Sequence, residues 1–103
     1  MIFSRWQIQC KNTARVSLDD VAKEVGLTHM LKSNVIVVAS TGMIGNEART
    51  YARHVMSDSN LDVVLIERDD LDAIRESPIH IIHVLDREAR AAMRIKKLEI
   101  GEE

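Results

Sequence analysis

The residues whose types and spacing suit chemistry begin with Gln9 and Lys11, two apart near the start of the chain, with Gln7 two residues earlier. The surrounding segment, Trp6-Gln7-Ile8-Gln9-Cys10-Lys11-Asn12, alternates polar and apolar residues with the period of a strand. Side chains two apart on a strand share a face, so Gln7, Gln9 and Lys11 project together while Ile8 and Cys10 project the other way. A lysine in line with two amides neutralises a phosphate, orients a water and offers carbonyl oxygens to a hard cation. The same pattern also suits an edge strand with a solvated face. The next candidate is Glu24, on the shoulder of an amphipathic helix, where a carboxylate reaches the edge of the sheet beneath it or simply faces solvent.

The elements that must position these groups follow in order. Ser17 and Asp20 stand at capping-box spacing, with Val16 placed to staple onto Val21. Leu18, Val21, Ala22 and Val25 make one apolar stripe, which predicts a helix from Ser17 to about Leu31. Val35-Ile36-Val37-Val38-Ala39 is a β-branched run, the pattern of a strand buried on both faces. Ser40 to Asn46 then reads as a strand-to-helix loop. Loops at the carboxyl ends of parallel strands are where open α/β sheets bind ligands. Its Gly42 and Gly45 allow close backbone approach to a phosphate, but it matches neither GxxxxGK[ST] nor GxGxxG.

Ile44, Ala48, Tyr51, Ala52, Val55 and Met56 predict a second helix, with Arg49 and Arg53 one turn apart on another face. Leu61 to Ile66 predicts a third strand. Asp69 or Asp70 caps a short helix around Leu71 and Ile74. Ser77-Pro78 starts a long last helix over 78–98, with Ile81, Ile82, Leu85, Ala89, Ala92 and Met93 as its apolar face and Arg87, Arg90, Arg94, Lys96 and Lys97 as its basic side. His80 and His83 are neighbours on it without an HExxH pattern. The order β-α-β-α-β-α-α implies an α/β fold with three mainly parallel strands, joined by right-handed crossovers and flanked by helices.

The chain has 103 residues, 46% hydrophobic and 29% charged, the balance of one small globular domain over 1–103. No apolar run approaches the roughly 20 residues of a membrane span. Cys10 is the single cysteine, which excludes an intrachain disulfide and a cysteine-rich zinc site and fits a reducing cytoplasm. The formal net charge of −2 argues against wholesale electrostatic capture of nucleic acid, though not against a local basic patch.

Taken together, Gln9-Cys10-Lys11, the Asp20-Val21-Ala22-Lys23-Glu24-Val25-Gly26 helix, Val35 to Gly42, Ala48 to Ala52, and Val63-Val64-Leu65-Ile66 before Asp69-Asp70-Leu71 resemble the restriction endonuclease-like PD-(D/E)xK superfamily. The resemblance is to its Mrr-like and archaeal type II-like branch, and it covers most of the chain through Leu71. It implies a restriction endonuclease-like core and metal-assisted hydrolysis of DNA, with Mg²⁺ or Mn²⁺ as cofactor. Lys11 matches the lysine that steadies the phosphorus and positions the water. Gln9 stands where most relatives carry Asp or Glu, and Glu24 matches a carboxylate that some relatives supply from the following helix. The resemblance thus implies Gln9, Lys11 and Glu24 as catalytic residues, Gln9 and Glu24 as metal ligands, and DNA contacts at Asn12, Thr41, Asn46 and Arg49.

Relatives also carry a metal-binding Asp on an upstream strand, whereas the first Asp here is Asp19. The expectation is an N-terminally truncated domain, feeble alone, that works as a homo-oligomer or with a complementing chain. Two other readings stand beside it: a non-catalytic DNA-binding or assembly module on the same scaffold, and a small α/β module binding a phosphate or nucleotide at Thr41 to Asn46.

Overall fold

The structure is a computed structural model; it describes the backbone of residues 5–100 and the side chains of residues 5–94. Strand β1 (Trp6–Lys11) is followed by a two-residue strand β2 (Arg15–Val16) and helix α1 (Leu18–Leu31). Strand β3 (Val35–Ser40), a second two-residue strand β4 (Met43–Ile44) and helix α2 (Asn46–Asp58) come next. Strand β5 (Asp62–Ile66) and helices α3 (Arg68–Glu76) and α4 (His80–Ile100) complete the chain. The main sheet is parallel in the order β1-β3-β5, as the alternation of elements predicts.

Each strand is buried according to its neighbours. β3 is the centre, and Ile36, Val38 and Ser40 on one face and Val35 and Val37 on the other are all buried. The first face carries the larger core, where Val16, Val21, Ala48, Ala52 and Met56 close over β3 and β5. The opposite face is closed by Val84 of α4 over Val35, Val37, Val64 and Ile66. β1 is an edge, which explains why its apolar residues Trp6 and Ile8 remain 50% and 63% exposed.

Helix α1 starts as the cap spacing predicts. The Ser17 hydroxyl oxygen accepts the Asp20 backbone N–H at 3.3 Å, and the Asp20 carboxylate accepts the Ser17 N–H at 2.9 Å. Val16 and Val21 are both fully buried beside it.

Four local expectations are corrected. The loop expected after β3 is interrupted by a strand that pairs back to the segment after β1: Arg15–Val16 and Met43–Ile44 pair in parallel as a small second sheet. Two residues per strand carry too little periodicity to be read in advance. Helix α3 begins after Glu67, not at an Asp69 or Asp70 cap; Asp70 sits at the third helical position and accepts the Glu67 backbone N–H at 3.2 Å. Ser77 ends α3 instead of opening α4, donating its N–H to the Ala73 carbonyl at 3.0 Å, and a turn through Pro78 and Ile79 precedes His80. The apolar face expected on α4 is also shifted. Val84 and Ala92 are buried, whereas Ile81, Ile82 and Met93 are exposed, because the amino end and the outer side of α4 project past the sheet.

Candidate functional site at the carboxyl ends of the strands

Lys11 is the last residue of β1, and parallel pairing brings it level with Ser40, the last residue of β3. The backbone there is tied across the strands, the Thr41 N–H donating to the Lys11 carbonyl at 3.0 Å. Directly beyond, the Thr41 hydroxyl donates to the Asn12 side-chain oxygen at 2.8 Å. A groove of about 400 Å³ opens here, lined by Asn12, Thr13, Thr41, Gly42, Met43 and Arg68 among others.

The small second sheet holds this rim in shape. The Met43 N–H donates to the Ala14 carbonyl at 2.9 Å, and the Gly45 N–H to the Val16 carbonyl at 3.1 Å. Gly42 lies so close to the first loop that a Cβ there would overlap the Thr13 and Ala14 carbonyls. Its N–H is taken by the Ser40 hydroxyl at 3.0 Å. Glu67 locks the far side: it accepts the Ile44 N–H at 2.9 Å and pairs with Arg49 at 3.0 Å.

On the α1 side, Gln7, Gln9 and Lys11 project together as the alternation predicts, with Gln7 buried and Gln9 and Lys11 half-buried. α1 presents two carboxylates to them, one turn apart. Asp20 meets Lys11, with 3.7 Å between charged atoms. Glu24 meets Gln7 instead: the Gln7 amide nitrogen donates to the Glu24 carboxylate at 2.9 Å and to the Glu24 carbonyl at 2.8 Å. Ser33 completes the set by donating to the Gln7 carbonyl oxygen at 2.5 Å. Glu24 is therefore neither solvated nor the carboxylate paired with Lys11; only 4% of it is exposed. β1 and α1 run in opposite directions, which sets Asp20 over the carboxyl end of the strand and Glu24 over its start.

The electrostatics follow from these contacts. The Asp20 carboxyl is held below its ordinary value of 3.8, first by the Ser17 backbone N–H and further by the Ser17 hydroxyl and the Lys11 ammonium, against a smaller opposing effect of burial. Asp20 is thus a fixed negative charge facing Lys11.

The DNA-contact candidates separate. Asn12 and Thr41 are bonded to each other at the groove. Asn46 is exposed at the first position of α2, where backbone N–H groups point outward. Arg49 is engaged by Glu67. Arg15 and Arg68, neither of which stands out in the sequence, also belong to the rim. Arg68 lines the groove, and the Arg15 guanidinium lies against Gly45 at the start of α2. Only the β2–β4 pairing brings Arg15 there.

The donors available to a Mg²⁺ ion are limited. The Glu24 carboxylate is already bonded by Gln7, Gln9 contributes a neutral amide, and no three His, Cys, Asp or Glu among the described residues are grouped to hold a metal. These residues alone do not fit a Mg²⁺ site. No helix among the described residues is long and apolar enough to cross a membrane. Comparison with family models, curated proteins and solved structures returned no match to this chain.

Proposed function

We propose that this chain is a DNA endonuclease-like domain whose own residues supply the phosphate-binding and lysine part of a metal-assisted phosphodiester hydrolase. The observation that carries the reading is the Gln9-Cys10-Lys11 strand, which delivers Lys11 to the carboxyl end of a parallel sheet beside the bonded Asn12–Thr41 pair. Lys11 would contact the phosphate. Asn12 and Thr41 offer neutral donors, and Asn46 with the N–H groups at the start of α2 offers a second anion contact. Arg15 and Arg68, with Arg49 when it leaves Glu67, would follow the backbone on either side. The Lewis-acid stabilisation that such chemistry needs would come from Mg²⁺ or Mn²⁺, which the described residues do not hold by themselves. Because Glu24 is engaged by Gln7 away from Lys11, the carboxylates that hold the metal would have to come from a homo-oligomeric or complementing chain. The working compartment in this reading is the cytoplasm, where Cys10 stays reduced.

A second reading is favoured by the Gln7–Glu24 and Lys11–Asp20 contacts. The two α1 carboxylates that face β1, Asp20 and Glu24, are already satisfied, as in a DNA-binding module that keeps the scaffold without the reaction.

One experiment separates the two. Duplex binding and plasmid cleavage with Mg²⁺ or Mn²⁺ are measured for this chain, for a version extended upstream, and for Lys11→Ala in each. The nuclease reading expects salt-dependent duplex binding by both chains, cleavage mainly by the extended one, and loss of cleavage on Lys11→Ala. Binding with no cleavage by either chain supports the module. Robust cleavage by the short chain that survives Lys11→Ala overturns the assignment of the site, and absence of duplex binding overturns both readings.

A further inference from the structure

The two edges of the main sheet are finished differently. α4 begins in one half of the core with Val84 and reaches the other half with Ala92, so it passes around the β5 edge. On the way Glu88 accepts the Leu65 backbone N–H at 3.3 Å, taking a mid-strand donor. β1 has no such cover and pairs only with β3 among the described residues. From Trp6 to Cys10 it carries no charge, proline or glycine, the residues by which exposed edges are normally closed to further pairing.

Apolar side chains overhang this edge on both faces. Trp6 and Ile8 stand out on the α4 side of the sheet. On the other side, Leu27 and Leu31 are 38% and 48% exposed. They lie three and seven residues after Glu24 and so share its side of α1, the side that touches Gln7 of β1.

We propose that β1 is a homodimer interface, pairing antiparallel with β1 of a second copy to join the two sheets edge to edge. A second copy fits because the strand is self-complementary. Trp6 and Ile8 are two apart on one face, so a two-fold axis at Gln7 sets Trp6 of each copy opposite Ile8 of the other, forming an aromatic–β-branched cross-strand pair twice. Arg5 then faces the neutral Gln9. The helices fit as well. α1 contacts β1 and β3 alike, and an axis midway between them lies about half a strand spacing, or ~2.4 Å, inside β1. Across a new strand pair of about 4.8 Å, the two α1 axes fall roughly 10 Å apart, the packing distance of two helices, and Leu27 and Leu31 enter the seam. Lys11 and the carboxyl-end groove stay outside the interface, one at each end of the dimer.

The test is the mass of the chain by light scattering at tens of micromolar, with Cys10, exposed on β1, carrying a nitroxide in a parallel distance measurement. The expected mass is twice the 11.7 kDa of one chain. The two labels should lie about 20 Å apart, from the six-residue offset that this register gives Cys10 at ~3.4 Å per residue. Ile8→Lys should give a monomer with unchanged circular dichroism, since Ile8 makes little contact in the single chain. Ile82→Lys, on the exposed side of α4, should leave the dimer intact. A single-chain mass for the unaltered protein overturns the proposal and leaves the edge to a foreign strand. A dimer that survives Ile8→Lys, or whose labels lie far outside that distance, places the interface elsewhere and overturns it too.

Discussion

At the scale of single residues, the identity of a contact depends on where along a strand a side chain falls. Lys11 and Gln7 occupy the same face of β1, yet one meets Asp20 and the other Glu24. Asp20 also belongs to the α1 capping box, so the group that faces Lys11 is held from behind by Ser17 and is not free to rotate away. Gly42 shows a different dependence. Its backbone is not left-handed; glycine is required there because the first loop passes too close for a Cβ. Gly42→Ala is expected to cost about 2–3 kcal/mol, since the atoms in the way are backbone carbonyls that cannot turn aside. Urea unfolding measures this loss, and a cost below about 0.5 kcal/mol would mean that the two loops separate easily.

At the scale of elements, α1 has one well-made end and one costly end. Its start is capped by Ser17 and Asp20, and Ser17→Ala is expected to remove about 1 kcal/mol. Its end is Lys32, the single non-glycine residue with positive φ among those described, at 54°. A side chain in the left-handed region carries a steric penalty that glycine lacks, so Lys32→Gly is expected to stabilise by about 0.5–1 kcal/mol. Thermal unfolding of the two variants should move in opposite directions. Equal losses in both would show that Lys32 makes compensating contacts.

At the scale of the whole molecule, the last two helices are joined to each other by an ion pair whose carboxylate is mostly covered and whose guanidinium is half-exposed. Arg87 of α4 donates to both carboxylate oxygens of Asp70 of α3, at 2.9 and 3.3 Å. Burial alone would raise the Asp70 carboxyl, but the Arg87 guanidinium and the Glu67 N–H outweigh it and leave it below 3.8. Asp20 is lowered in the same sense. A carboxyl lowered on folding adds stability that is complete above its unfolded value and is lost as pH falls through the folded one. The protein should therefore hold its stability down to about pH 4 and lose it progressively below. Asp70→Asn should flatten that acid limb in urea unfolding as a function of pH, and an unchanged limb would assign the acid sensitivity to other carboxylates.

The sequence by itself determined the class of fold and the polarity of its first strand. Repeating apolar periods placed three strands and four helices, since burial on one face or two leaves a period of about 3.6 or 2 in the chain. Alternation likewise put Gln7, Gln9 and Lys11 on one face. The tertiary structure decided which carboxylate each of them meets, because that depends on the offset between β1 and an antiparallel α1 packed on it. It also decided that Glu24 is buried, that Arg15 joins the rim and that Glu67 binds Arg49. These depend on a two-residue strand pair and on contacts between residues up to 29 positions apart. The exposed face of α4 was illegible for a related reason. Ile81, Ile82 and Met93 are apolar enough for a core, but whether they reach one depends on how far the helix overhangs a sheet that is only three strands wide.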